Sequence, residues 1–160
     1  MRSRKAIYLH SAFMLNRKDF IRNTCIACIG GLTVGGMLEG CESTRIMHSQ
    51  IEGSGLQVPL TFFEIVHGKK VRYKKYVVVQ NEQLQFPICI FRLSATEYSA
   101  LYMRCSHQGA ELQVFGDMLQ CPAHGSEFTH TGEVRTPPAT ESLRRFPVTL
   151  ENNMLKVNLS

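Results

Sequence analysis

The chain has no low-complexity tract and no internal repeat, which excludes a disordered polypeptide and a solenoid. It has no amphipathic helical pattern longer than about ten residues, so a helical bundle is excluded as well. Its longest charge-free, mostly apolar run, Asn23 to Leu38, holds sixteen residues, Gly30, Gly31, Gly35 and Gly36 among them. That falls below the roughly 18 to 20 residues that span a bilayer comfortably. Net charge is also small outside the amino terminus. Residues 1–41 carry Arg2, Arg4, Lys5, Arg17, Lys18 and Arg22 against Asp19 and Glu39, a net of +4 out of +5, and residues 42–160 carry only +1. A nearly neutral body gives no basic face for nucleic acid, and no nucleic-acid partner is expected.

What is present at the amino terminus has the layout of an export signal: a basic segment, the apolar run, then Gly40 and Cys41. Asn16-Arg17-Lys18-Asp19-Phe20-Ile21-Arg22 resembles a twin-arginine signal with lysine as the second basic residue. Leu38-Glu39-Gly40-Cys41 resembles the bacterial lipoprotein cleavage box, with Glu39 where a small or apolar residue is usual. Cys41 is thus a candidate for lipidation. Met14 is an alternative start that would leave a leader of more usual proportions. Cys25 and Cys28 form a C-x-x-C inside the apolar run, where they read as small filler residues. Residues 1–41 are assigned to an export signal and lipoprotein leader, and 42–57, polar and without helical period, to a tether. The expected address is the exported, membrane-associated side, periplasmic or cell-surface, held there by the leader or a lipid anchor.

From residue 58 onward short apolar or alternating runs recur at Leu60–Val66, Val71–Val79, Ile88–Leu93, Tyr98–Met103, Leu112–Phe115, Met118–Gln120, Phe146–Leu150 and Met154–Asn158. Gly116-Asp117 and Asn152-Asn153 separate such runs at hairpin spacing and tolerate positive φ. The fold class is all-β, built of small packed antiparallel sheets or an incomplete barrel. Length allows one such domain, 58–160, and no second core.

The strongest chemical signal is Cys105-Ser106-His107, then thirteen residues, then Cys121-Pro122-Ala123-His124. Leu112–Gln120 forms a hairpin, which brings the two Cys/His pairs together. Two thiolates and two imidazoles suit several chemistries. Zinc modules usually pair C-x-x-C with a distant pair of histidines, which mixed Cys/His pairs fit poorly. A catalytic Cys-His pair would leave two ligand-type residues unused. A two-iron cluster uses all four.

With Gly109 and Gly125-Ser126 beside the pairs, Phe128, Thr131-Gly132-Glu133-Val134, Pro137-Pro138-Ala139 and Phe146-Pro147-Val148, the segment 58–158 resembles the Rieske family of iron–sulfur proteins. The resemblance implies one 2Fe-2S cluster, with Cys105 and Cys121 on one iron and His107 and His124 on the other, solvent-near iron. Neutral imidazoles in place of thiolates remove negative charge and raise the potential. It also implies that residues 137–139 cover the cluster. Ala110 and Ala123 stand where respiratory members carry a disulfide. Ser126 matches a serine that donates to a bridging sulfide, and Phe128 replaces a tyrosine that donates to a cysteine sulfur. One donor kept and one lost places the potential between the extremes of the family's span.

By that resemblance the chain carries single electrons between redox-protein donors and acceptors, with no catalytic residues of its own, and by its leader it does so at a membrane surface. Two rival settings are the small Rieske subunit of a larger oxidoreductase such as arsenite oxidase, and a ferredoxin serving an oxygenase. Lys69, Lys70, Arg72, Lys74 and Lys75 read as a solvated hairpin face, with docking to an acidic partner or anionic lipid as the alternative. Cys89 reads as a buried strand thiol, and His10, His48, His67 and His130 receive no metal role.

Overall fold

A computed structural model describes residues 45–160. The leader 1–41, with Met14, Cys25, Cys28 and Cys41, lies outside the described residues, as do residues 42–44.

The fold is all-β, as the sequence predicts, and centres on three antiparallel strands, β6 (Tyr76–Gln80), β7 (Ile88–Arg92) and β8 (Tyr98–Tyr102). These runs are apolar at nearly every position because both of their faces are covered, and the strand period of two divides their side chains. Val77, Val79, Ile88, Ile90 and Ala100 enter one core, and Val78, Cys89, Phe91 and Leu101 enter the other. Strand β1 (Ile46–His48) lies parallel to β6 on one edge, and β13 (Arg145–Phe146) closes the other edge against β8.

The first core is capped by a second sheet, ordered β14 (Val148–Glu151), β15 (Met154–Asn158), β3 (Gly55–Pro59) and β2 (Ile51–Glu52). It contributes Leu56, Val58, Leu155 and Val157, each fully buried and each worth about 1.5–3 kcal/mol of transfer free energy. Asn152 and Asn153 turn the β14–β15 hairpin with φ of 49° and 62°, in the region asparagine tolerates best after glycine. The second core lies under a third sheet, ordered β12 (Val134–Thr136), β11 (Glu127–Phe128), β10 (Met118–Gln120) and β9 (Gln113–Phe115). The predicted Gly116-Asp117 turn joins β9 to β10, with Gly116 at φ 64°.

Four expectations are revised by the tertiary structure. Of the expected tether 42–57, residues 46–57 contribute β1, β2 and the start of β3, because Leu56 and Val58 alternate into the first core and β1 adds to the edge of β6. Leu60–Val66 is not one strand: Leu60–Phe63 makes a 3-10 turn after Pro59, sinking Phe63, before β4 (Glu64–His67) begins. Val71–Val79 is split after Lys74, whose backbone N–H donates to Phe63 O at 2.7 Å in line with the β4–β5 register, whereas Lys75 O accepts from Arg92 N–H at 2.8 Å in line with the β6–β7 register, which divides the run into β5 (Lys70–Tyr73) and β6. Phe146–Leu150 is split at Pro147, where the chain passes from the central sheet to the second sheet at a residue that lacks a ladder N–H.

Candidate metal centre

The two Cys/His segments fold into two matching turns. In the first, Gly109 N–H donates to Cys105 O at 2.9 Å and Cys105 N–H donates to Ala110 O at 2.8 Å. In the second, Gly125 N–H donates to Cys121 O at 2.9 Å and Cys121 N–H donates to Ser126 O at 2.8 Å. Each turn closes on a glycine with positive φ, 75° and 77°, which only glycine adopts without strain. Both grow from the same end of the small sheet: an isolated antiparallel bridge Arg104–Glu111 flanks the first, and β10 and β11 flank the second.

The side chains sort into pairs by chemistry. Cys105 and Cys121 are buried at the base, 2% and 1% exposed, in the same core. The rings of His107 and His124 meet edge to face with centroids 5.0 Å apart, His107 half-buried and His124 exposed at the surface. Among the described residues, no three His, Cys, Asp or Glu side chains are gathered to hold one metal ion. The pairing of thiol with thiol and imidazole with imidazole suits a centre with two metals.

Electrostatics point the same way. Burial pushes the Cys105 thiol up from its ordinary value; the backbone N–H of His107 pulls it down, and neighbouring Cys121 pushes it further up. Binding an electrophilic metal displaces those protons, so loading is favoured as pH rises. His107 Nδ1 is buried with no hydrogen-bond partner, a vacancy a metal would fill.

Residues 137–142 include the expected cover, 137–139, with a cis peptide between Pro137 and Pro138. Both ligand-bearing turns clamp it. Ser126 Oγ, fully buried, accepts from Ala139 N–H at 3.0 Å, and Ser106 Oγ donates to Glu141 O at 2.6 Å. The Ser106 clamp escaped the sequence, since its partner is a backbone carbonyl 35 residues away. Ser126 keeps its own hydroxyl proton free while it accepts, which suits a donor aimed at the site. Phe128 is fully buried in the same core as Cys105 and Cys121 and offers no donor there. Ala110 and Ala123 leave the turns without a disulfide, and Cys89, Cys105 and Cys121 are all free thiols. Cys89 is buried in β7 as expected, while His130 packs on Phe91, away from the paired histidines. Cys41 lies outside the described residues.

Paired thiols below paired imidazoles, on two glycine-closed turns of a small all-β lobe, define an iron–sulfur protein of the electron-transfer class. The Rieske 2Fe-2S domain matches residues 61–147, and the chain belongs to that family. It holds one 2Fe-2S cluster and transfers electrons through it, working with redox partners. The chain is 33% identical over 79 residues to the ferredoxin subunit of an anthranilate 1,2-dioxygenase of Burkholderia cepacia, covering 47% of this chain and 72% of the relative. Among solved structures, it is similar to the plasma membrane Rieske protein of Synechocystis PCC 6803, with 23% identity, coverage of 52% and 86%, and TM-score 0.46. It is also similar to the ferredoxin of carbazole 1,9a-dioxygenase from Nocardioides aromaticivorans, with 18% identity, coverage of 68% and 100%, and TM-score 0.49.

Proposed function

We propose that Cys105 and Cys121 hold one iron and His107 and His124 the other, and that the chain acts as an exported, lipid-anchored carrier at a membrane surface. The observation that carries the ligand assignment is the pairing of buried thiols with outward imidazoles on two matching turns. Bound there, the cluster accepts and releases one electron at a time. The chain supplies the rest. His124 and His107 occupy the solvent side and form the exit for the electron. Ser126 holds the cover through Ala139 and presents its hydroxyl to the site, and the prolines exclude water and lower the local dielectric.

The membrane setting rests on the leader and on Cys41. Four residues separate Cys41 from Ile46, a reach of about 17 Å at full extension, so an anchored domain stays close to the bilayer. An electron paramagnetic resonance spectrum of the reduced protein tests the ligands: the low mean g-value of mixed imidazole–thiolate ligation is expected, and an all-thiolate value refutes it. Fatty-acid labelling of wild type and Cys41→Ala tests the anchor, with equal incorporation in both refuting it. A second reading, a ferredoxin that feeds an oxygenase, is supported by the 33% identity to a dioxygenase ferredoxin subunit. It predicts the protein in the soluble cytoplasmic fraction.

A further inference from the structure

The β4–β5 hairpin is an island of positive charge. Lys69, Lys70, Arg72, Lys74 and Lys75 against Glu64 make residues 64–75 +4, and since residues 42–160 carry +1, the rest of that span is −3. Its strand register also separates two chemistries. Glu64 faces Tyr73 and Val66 faces Val71, so one side of the ribbon carries Val66, Val71 and Tyr73 with Glu64 at its far end; Ile65 faces Arg72 and His67 faces Lys70, so the other carries Lys70 and Arg72 beside Ile65. Val66 is 62% exposed, Val71 48% and Tyr73 51%, the last with Arg92 stacked on its ring at 4.6 Å. Among the described residues Lys69, Lys70 and Arg72 meet no carboxylate. Holding like charges side by side beside uncovered valines is unfavourable in water unless a ligand matches both.

The sheet registers decide where this ribbon stands. Val79, Ile88 and Tyr102 lie in one row, so β8 runs on to Cys105 from the end where β6 finishes. Strand β1 is parallel to β6 with Ile46 beside Val78. Strand β6 begins at Tyr76, so Lys74 and Lys75 join it to the hairpin at the end where it begins. The Cys/His turns leave from the end of the sheet opposite the hairpin.

We propose that the β4–β5 hairpin is a membrane-contact element that takes anionic phospholipid headgroups. Val66, Val71 and Tyr73 enter the interface and the cations reach the phosphates, with the cluster turns directed away from the bilayer toward soluble partners. The proposal rests on the membrane-surface setting above. It favours lipid over an acidic protein because exposed apolar side chains stand on the same hairpin as the cations.

The chain contains no tryptophan, so Val66→Trp in the full chain gives a clean probe at the hairpin. Vesicles of phosphatidylcholine with added phosphatidylglycerol are expected to shift its emission to the blue and to quench it when the acyl chains are brominated, while phosphatidylcholine alone does neither. Lys69→Glu, Lys70→Glu and Arg72→Glu together should raise the anionic lipid needed for half-maximal shift by at least about fivefold per cation, the factor that about 1 kcal/mol implies. Cluster absorbance is expected to stay unchanged in these variants, which confirms that they fold. Three outcomes overturn the proposal: no shift on any vesicle, an equal shift on neutral vesicles that ignores the charge reversals, or a shift elicited by polyglutamate but not by vesicles. Vesicles are supplied whether or not Cys41 is lipidated, so loss of fatty-acid labelling and loss of the tryptophan shift are separate failures.

Discussion

The two cores on either side of the central sheet are built on different principles. The first, between the central and β14–β15–β3–β2 sheets, is aliphatic and aromatic throughout: Leu56, Val58, Phe63, Ile88, Ile90, Leu155 and Val157. The second contains Cys105, Cys121, Met103 and Ala139 besides Leu101, Leu119 and Phe128, and the buried Ser126 hydroxyl belongs to the lobe above it. The first core needs nothing but its own side chains. The second is roofed by short strands of two or three residues and by turns whose inward groups await a metal, so part of its folding free energy comes from the cluster.

That contrast can be broken most severely at the ligands. Cys121→Ser should abolish the visible absorbance and the paramagnetic signal, and hydrogen exchange should speed up in β9–β12 while β6–β8 stays protected. Uniform loss of protection would show that the cores are not separable. Leu155→Ala, in the first core, is the counterpart: a loss of about 2–5 kcal/mol in urea unfolding with an unaltered cluster spectrum.

Smaller changes sharpen what the second core contributes. Ser126→Ala strands the buried Ala139 N–H, which costs about 1–3 kcal/mol, and lowers the potential measured by protein-film voltammetry. A fall in stability with no change in potential would assign Ser126 to the cover alone. Phe128→Tyr places a donor in the same buried lobe and should raise the potential, by about 60 mV if the new bond favours the reduced state by about 1.4 kcal/mol. An unshifted voltammogram would show that no sulfur lies within reach of that hydroxyl.

The smallest effect concerns Cys89, whose thiol burial pushes well above its ordinary value. A raised folded-state pKa gives stability that is present below the unfolded value of about 8.5 and is lost as pH rises through that region. The wild type should therefore lose stability above about pH 8.5 more steeply than Cys89→Ala, by at most about 1.4 kcal/mol per pH unit. Parallel slopes would refute this.

Much of this was legible in advance. Alternation and unbroken apolar runs located β6, β7, β8, β10 and β15, and Gly116-Asp117 and Asn152-Asn153 located two hairpins, because strand period and positive φ are local properties. The ligand candidates were legible because thiolate and imidazole chemistry is written in residue type and spacing. Strands β11 and β12 were missed, since two- and three-residue segments carry no period of their own. The early strands β1–β3 were read as a tether because their polar, glycine-containing sequence hides two inward residues, Leu56 and Val58, whose burial depends on β15 pairing with them a hundred residues later.

By itself, then, the sequence determined the all-β class, the four candidate ligands, the missing disulfide and the asymmetric charge, all of which follow from residue identity and short-range spacing. Tertiary structure alone decided that the thiols pair below the imidazoles and that Ser106 and Ser126 clamp one cover. It also decided that the basic ribbon stands at the opposite end of the sheet from the Cys/His turns. Those relations join residues far apart in the chain, and only the strand registers bring them to a common place.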